Sequence, residues 1–352
     1  MAKLLMEGNQ ALAEAAIHAG CRHFFGYPIT PQSEIPEYLS RRMPQVGGVY
    51  LQSESEVAAI NMVFGAAGTG ARVFTASSSP GISLMSEGIS YIAACELPCV
   101  LVNVQRGGPG LGNIAPSQGD YNQATKGIGH GDFHLLVLAP DSVQEMADLM
   151  ILAFDLADEY RNPVMILADG ILGQMMEPVE FSEEVAAPPE KPWATRGASG
   201  RERNIINSLY IEPEVLEGLN NKLAAKYAIA KEKECRCENY LTEDAEIVVA
   251  AFGSCARIAK AAVEEARAQG IKAGLCRPIS VWPFPEALVN QACKNAKACI
   301  VTEMNEGQML YDVRLALKDR IPVHHFGKMG GVIPTPKQIL EEIKKAEVKP
   351  GV

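Results

Sequence analysis

The sequence predicts an α/β protein of two parallel-sheet domains. Three observations predict it. Strand-length apolar runs alternate with helix-length segments through the first half of the chain. That rhythm breaks at a proline cluster beginning at Pro178. It resumes near residue 247 and continues past residue 340. Strand followed by helix at this spacing builds a parallel sheet with helices on both faces. A chain of 352 residues has room for two or three domains, and 47% apolar residues fill their cores without disulfide or metal staples.

The first series places strands at 23–26, 49–52, 72–76, 99–104, 135–138 and 164–168. Helical segments lie at 56–67, 83–94 and 142–160. The last has apolar residues at Val143, Met146, Ala147, Met150 and Ala153, a 3.6-residue period. The segment 56–67 is small and apolar almost all round, so it reads as a buried helix. Pro178, Pro188, Pro189 and Pro192 then end the series. A polar stretch, 194–240, follows. Its later part, 214–240, is helical by propensity, and the whole reads as an excursion packed over a neighbouring chain. The second series has strands at 247–252, 273–275, 298–302 and 323–326, with helices at 256–269, 285–295, 308–318 and 337–345. Gly270 is a normal stop for the first of these helices. The expected boundaries are 1–190, 191–241 and 242–352.

Charge and composition remove several classes of function. The 42 acidic and 32 basic side chains leave a formal charge of −10. That argues against nucleic acid and against anionic lipid, both of which select a basic face. The longest apolar runs, 149–154 and 247–252, fall far short of the roughly 20 residues of a membrane span. The N-terminus meets Glu7, Asn9 and Gln10 before any apolar stretch, unlike a secretory leader. Nine cysteines in mostly apolar settings fit a cytoplasmic protein with buried thiols. Cys235 and Cys237, with a single residue between them, are too close for the usual metal spacing and read as thiols in a polar helix.

Candidate functional residues are sought where strands end, because open parallel sheets bind ligands at their carboxyl edge. After the first strand comes Gly26-Tyr27-Pro28-Ile29-Thr30-Pro31. Two prolines stiffen the loop around the Thr30 hydroxyl. A second reading makes Thr30 a helix N-cap with Pro31 at the first helical position. After the second strand comes Gln52-Ser53-Glu54-Ser55-Glu56, in which either acid suits the positive end of the helix that follows. After the third comes Ser77-Ser78-Ser79-Pro80-Gly81, a polar turn able to offer amides and hydroxyls. After the fourth comes Gln105-Arg106-Gly107-Gly108-Pro109, where an Arg beside glycines suits a carboxylate. His130 and His134 sit in a glycine-containing loop, from which either faces a ligand more readily than a metal.

These same segments resemble the alpha-type subunit of the 2-oxoacid:ferredoxin oxidoreductases. Residues 26–31, 52–56, 77–81 and 104–109 carry the likeness in order and spacing. It extends through 277–285 (Arg-Pro-Ile-Ser-Val-Trp-Pro-Phe-Pro) and 302–308 (Thr-Glu-Met-Asn-Glu-Gly-Gln). Segments 107–121 and 129–146, with Trp193-Ala-Thr, look most like the branch acting on the branched-chain acid 2-oxoisovalerate. The resemblance implies a thiamine diphosphate pyrimidine-binding fold followed by a transketolase C-terminal-like domain. It implies that Glu56 meets N1′ of the aminopyrimidine, and that Thr30 and Arg106 contact the oxo and carboxylate ends of the substrate. Tyr27, Pro28, Ile29, Ser78 and Ser79 map to cofactor contacts.

The implied reaction is oxidative decarboxylation of a 2-oxoacid with coenzyme A, giving acyl-CoA, CO2 and reduced ferredoxin. The chain has no Gly-Asp-Gly motif for magnesium and diphosphate, and no cluster cysteines. A beta-type partner is therefore expected to bring the diphosphate, Mg2+ and an iron–sulfur cluster, with a small ferredoxin-like subunit beside it. Alternatives are the same reaction on 2-oxoglutarate or pyruvate, a non-catalytic assembly subunit, and a nucleotide-binding module.

Overall fold

The computed structural model of the chain describes residues 3–181 and 187–348. The chain enters through β1 (Leu4–Glu7) and α1 (Gly8–His18). Ala11, Leu12, Ala13, Ala15 and Ala16 leave α1 buried on nearly every side. A helix apolar all round has to be internal, and alanine lets its neighbours approach. The parallel series follows: β2 (His23–Gly26), α2 (Glu34–Gln45), β3 (Val49–Gln52), α3 (Glu56–Gly68), β4 (Val73–Ser77), α4 (Pro80–Ala94) and β5 (Cys99–Gln105). Then come α5 (Tyr121–Thr125), β6 (Leu136–Leu138), α6 (Val143–Tyr160), β7 (Pro163–Asp169), α7 (Gly170–Gln174) and β8 (Met176–Val179). Strands β5 and β7 are buried along their whole length, which is why they read as continuous apolar runs.

The remaining elements are α8 (Pro213–Lys233), β9 (Cys237–Tyr240), β10 (Ile247–Ala250), α9 (Gly253–Ala268), β11 (Ala273–Pro278) and β12 (Ser280–Trp282). They end with α10 (Glu286–Ala292), β13 (Ala298–Glu303), α11 (Leu310–Leu317), β14 (Val323–Gly327) and α12 (Pro336–Val348). A seven-stranded sheet has the order β12-β6-β7-β5-β4-β2-β3, and a five-stranded sheet the order β14-β13-β10-β11-β9. Both are parallel except at one edge, where β12 and β9 run antiparallel to their neighbours. β1 and β8 form a separate antiparallel ribbon. The parallel α/β class expected from the sequence is what the chain adopts.

Two details depart from the sequence reading, and a third adds to it. The helix expected over 214–240 stops at Lys233, and the chain then extends into β9, so Cys237 lies on a sheet edge and not in a helix. Helix α3 is buried on one side only: Val57 is 47% exposed, and Asn61 and Gly65 are open as well. The polar excursion packs on its own chain. Leu223, Tyr227 and Ala230 of α8 are buried, Tyr227 donates to Asn162 Oδ1 at 3.1 Å, and Thr195 binds the Gly68 carbonyl. Its other side carries Ile205, Leu209 and Ile211, all exposed.

The strand order positions a site. From β2 the chain steps to β3 on one side, and from β3 it crosses to β4 on the other. Connections diverge at that point, so the loops leaving β2 and β4 part and open a crevice at the carboxyl edge.

Candidate active site

Thr30, Glu56, Ser77–Ser79 and Arg106 lie at the carboxyl ends of β2, β3, β4 and β5 respectively, four neighbouring strands of one sheet. The fold therefore brings these sequence candidates to one edge. Tyr27, Pro28 and Thr30 are exposed there, and Ile29 is partly covered. Thr30 is not a helix cap: Ser33 precedes α2, and Thr30 stands outside the helix. Asn9 of α1 holds this loop, donating to the Pro31 carbonyl at 2.8 Å and to Glu34 Oε2 at 2.7 Å.

The two acids after β3 part company. Glu54 is exposed, whereas Glu56 is 5% exposed and opens α3. Ser55 caps that helix, its hydroxyl accepting from the Ala58 amide at 3.2 Å. Helix α4 presses on α3 through glycines. A Cβ at Gly81 would lie 2.6 Å from Glu56 Oε1, and one at Gly88 would meet the Ile60 side chain. Glycine at both places lets the helices meet closely enough to fix the carboxylate. The Ser77 hydroxyl lies against the same glycine, and the hydroxyls of Thr75, Ser77 and Ser78, along the end of β4, are buried without hydrogen-bond partners.

Ser79 occupies the sharpest turn, with φ of 21° and ψ of −79°. Such a backbone costs energy in a non-glycine residue and survives only where neighbours over-determine it. Here its amide donates to Asn103 Oδ1 at 3.1 Å, and its hydroxyl donates to Asp120 Oδ2 at 2.5 Å. Asn103 Nδ2 binds the same Asp120 oxygen at 2.9 Å. Burial raises the Asp120 pKa above the ordinary carboxylate value, and the bonds from Ser79 and Asn103 oppose that rise. Arg106 is 8% exposed. Its Nη1 donates to the Thr30 carbonyl at 3.0 Å and its Nη2 to the Leu111 carbonyl at 3.2 Å, while Nε has no partner. The guanidinium thus clips the loop after β2 to the loop after β5.

Behind Arg106 the chain is bolted to the second sheet. Gln118 donates to the Phe252 carbonyl at 2.7 Å and exchanges bonds with Met304 in both directions. Asn305 binds the Gln118 carbonyl at 2.8 Å and Glu303 Oε2 at 2.9 Å. Glu303 is fully buried and accepts from the Met309 amide at 2.8 Å and the Leu310 amide at 3.2 Å. Asp120, Gln118 and Glu303 were not singled out from the sequence. Their only signal there was position in the segments after strand ends.

Burial pushes the Glu303 pKa up to about 7 from 4.5. The native protein therefore binds this proton at a pH where the unfolded chain has released it. The stability so gained is full below the unfolded value and is lost as pH rises through about 7. Replacing Glu303 with Gln is expected to remove that slope. Denaturant unfolding near pH 5 and near pH 8 checks this: the wild-type advantage over the variant should shrink at the higher pH by as much as about 3 kcal/mol.

His130 and His134 do not join this edge. His134 stacks on Trp282 with ring centroids 4.4 Å apart, and burial lowers its pKa. His130 meets Tyr91 edge-on. A cavity of about 750 Å3 lies beside Trp282 and His134, lined by neither Glu56 nor Arg106. Among the described residues, no helix is long and apolar enough to cross a membrane, and no group of three or more His, Cys, Asp or Glu is placed to hold a metal.

Comparison with known proteins accounts for most of the chain. Residues 14–232 match the thiamine diphosphate-binding domain of pyruvate flavodoxin/ferredoxin oxidoreductases. Residues 245–339 match core domain II of pyruvate:ferredoxin oxidoreductase. The chain is 50% identical over 346 residues to the ketoisovalerate oxidoreductase subunit VorB of Methanothermobacter thermautotrophicus, covering 98% of each chain. It is 29% identical, with a TM-score of 0.85, to a 2-oxoglutarate:ferredoxin oxidoreductase from Magnetococcus marinus solved with 2-oxoglutarate, coenzyme A and succinyl-CoA bound. That match covers 97% of this chain and 65% of that longer one. An inactive split-gene transketolase tetramer shares the fold alone, at 14% identity and a TM-score of 0.61, over 98% of this chain and 97% of that chain.

Proposed function

This chain belongs to the 2-oxoacid:ferredoxin oxidoreductase family, and from that premise we propose that it presents the pyrimidine-side half of an active site acting on 2-oxoisovalerate. The observation that carries the substrate is the 50% identity, across nearly the whole of both chains, with a ketoisovalerate oxidoreductase subunit. Relatives acting on 2-oxoglutarate stand further off: the 2-oxoglutarate synthase subunit KorA of Methanocaldococcus jannaschii at 39% and the Magnetococcus marinus enzyme at 29%. The products are the branched acyl-CoA, CO2 and reduced ferredoxin, and the setting is cytoplasmic.

Thiamine diphosphate fits the residues at the carboxyl edge. Gly81 leaves Glu56 and Ser77 against its backbone with no space for even one added carbon, and the Thr75, Ser77 and Ser78 hydroxyls at the end of β4 are buried without partners. When bound, the cofactor supplies a carbon nucleophile and an electron sink for loss of a carboxylate. Glu56 holds the proton at N1′ of the aminopyrimidine. Its burial keeps water from competing for that proton. Tyr27, Pro28 and Ile29 of the loop after β2, and Ser78 and Ser79 of the turn after β4, would hold the cofactor. The unpartnered Nε of Arg106, with the neighbouring Nη2, forms a fork for the substrate carboxylate, which takes the place now held by the Leu111 carbonyl. Thr30, exposed beside it, meets the oxo group.

The rest of the site comes from other subunits. A beta-type partner brings the diphosphate contacts, Mg2+ and an iron–sulfur cluster, and a small ferredoxin-like subunit carries electrons onward to ferredoxin. The test is coenzyme A-dependent reduction of a viologen dye by the assembled complex. With 2-oxoisovalerate, 2-oxoglutarate, pyruvate and indolepyruvate offered side by side, turnover on 2-oxoisovalerate should be fastest. Faster turnover on another acid overturns the substrate. No turnover by a cofactor-loaded complex overturns the catalytic role in favour of an assembly subunit.

A further inference from the structure

All nine cysteines are free thiols; Cys237, Cys276 and Cys299 lie on strands of the second sheet, and Cys293, at the end of α10, joins them. Cys237 opens the edge strand β9, and Cys276 lies on β11 beside it. Their sulfurs are 3.5 Å apart. Cys293 and Cys299 sit behind Cys276 and are fully buried. Cys237 is half-buried, so solvent reaches the cluster through it alone. Cys235, two residues away, points elsewhere, with its thiol toward the Lys231 and Phe284 carbonyls.

We propose that Cys237 and Cys276 are a redox pair, oxidised by hydrogen peroxide to an intrachain disulfide that fastens β9 to β11. The sulfurs must close by about 1.5 Å to reach bonding distance. The strand that has to move is the one free to do so. β9 pairs on one side only, and Cys237 faces Pro278 in the ladder. The neighbouring bond, from the Ile279 amide to the Arg236 carbonyl at 2.9 Å, makes 237–278 a non-hydrogen-bonded pair, so no ladder bond ties Cys237 itself to β11.

The chemistry balances in two steps. The Cys237 sulfur attacks one peroxide oxygen. The O–O bond breaks, an S–O bond forms, and the thiol proton leaves with the departing oxygen as water. The Cys276 sulfur then attacks the Cys237 sulfur. The S–S bond forms, the S–O bond breaks, and a second water carries away the hydroxyl and the Cys276 proton. The sulfurs lose two electrons and the peroxide gains two. The division of labour follows exposure: Cys237 meets the oxidant, and the buried Cys276, 3.5 Å behind it, resolves the adduct.

The test uses the complex purified without oxygen, exposed to hydrogen peroxide, alkylated, and digested without reduction. Mass spectrometry should find a Cys237–Cys276 peptide two hydrogens lighter than its parts, and dithiothreitol should restore both thiols. In Cys276→Ser the chain should stop at a sulfenic acid on Cys237, captured by dimedone. In Cys237→Ser both products should vanish. A Cys235–Cys237 link, a link between chains, or wild-type protein that keeps both thiols free under peroxide overturns the assignment. The wild-type digest decides the matter even if a serine variant misfolds.

Discussion

Glu56→Gln is expected to cut turnover of the assembled complex by roughly 10²–10⁴-fold, the range that a positioned proton-holding group contributes. Gln matches Glu in shape, so the corner against Gly81 and Ile60 should pack as before. The Ser55 cap uses the backbone of Ala58 and is untouched. What changes is the proton at the buried oxygen: an amide neither holds nor releases one. Circular dichroism and melting temperature should therefore stay near wild type while dye reduction collapses. Glu54→Gln is the control. Glu54 is exposed two residues earlier, and its turnover should match the parent. A Glu56 variant as fast as wild type removes this residue from the chemistry.

The largest loss of stability is expected from Arg277→Met. Arg277 lies on β11 with its side chain 5% exposed and serves three carboxylates. It binds Glu145 through two bonds, at 2.7 and 2.9 Å, and Glu238 through two more, at 2.9 and 2.6 Å, and it stands 3.5 Å from Asp141. Glu145 belongs to α6, so the guanidinium also joins the two halves of the chain. Removing one partner of a buried ion pair costs about 3–5 kcal/mol, because the partly buried acids left behind lose their counter-ion. Burial already pushes Asp141 up to about 6 despite the nearby Arg277. Without the cation, the acids should take up protons more readily still. The deficit should be smaller near pH 5 than near pH 8, and denaturant melts at the two values check both size and sign. Equal deficits at both values would mean that lost packing, and not stranded charge, is the cause.

The parallel strands were legible because burial on both faces writes them as unbroken apolar runs, as in β5 and β7. The site loops were legible from the same rule, since functional groups follow strand ends. Other parts were not. Residues 214–240 are rich in helix formers to their end, and nothing local marks the change at Lys233 from α8 to the extended edge β9. Thr30-Pro31 has the sequence of a helix start, but bonds from Asn9 and Arg106, distant along the chain, hold it outside α2. Glu54 and Glu56 were equal as first-turn acids on pattern. Only the approach of α4, made possible by Gly81 and Gly88, leaves Glu56 buried. Asp120 and Glu303 look like solvated loop acids until the fold covers them.

β12 has a consequence for how the molecule comes into being. The edge of the seven-stranded sheet at β6 is closed by residues 280–282, antiparallel to residues 137–138. A nascent chain that has emerged only through β8 holds six of the seven strands and an open flank. An uncovered strand edge invites pairing with another molecule. The piece that blunts it arrives about 100 residues later, after α8 and β10 have been made, and contacts so far apart in sequence form slowly. A gene fragment cut between the two sheets would yield neither unit finished: the first would lack its border strand, and the second would keep a strand with nowhere to lie. The two halves are thus a single unit of synthesis, although each has its own sheet.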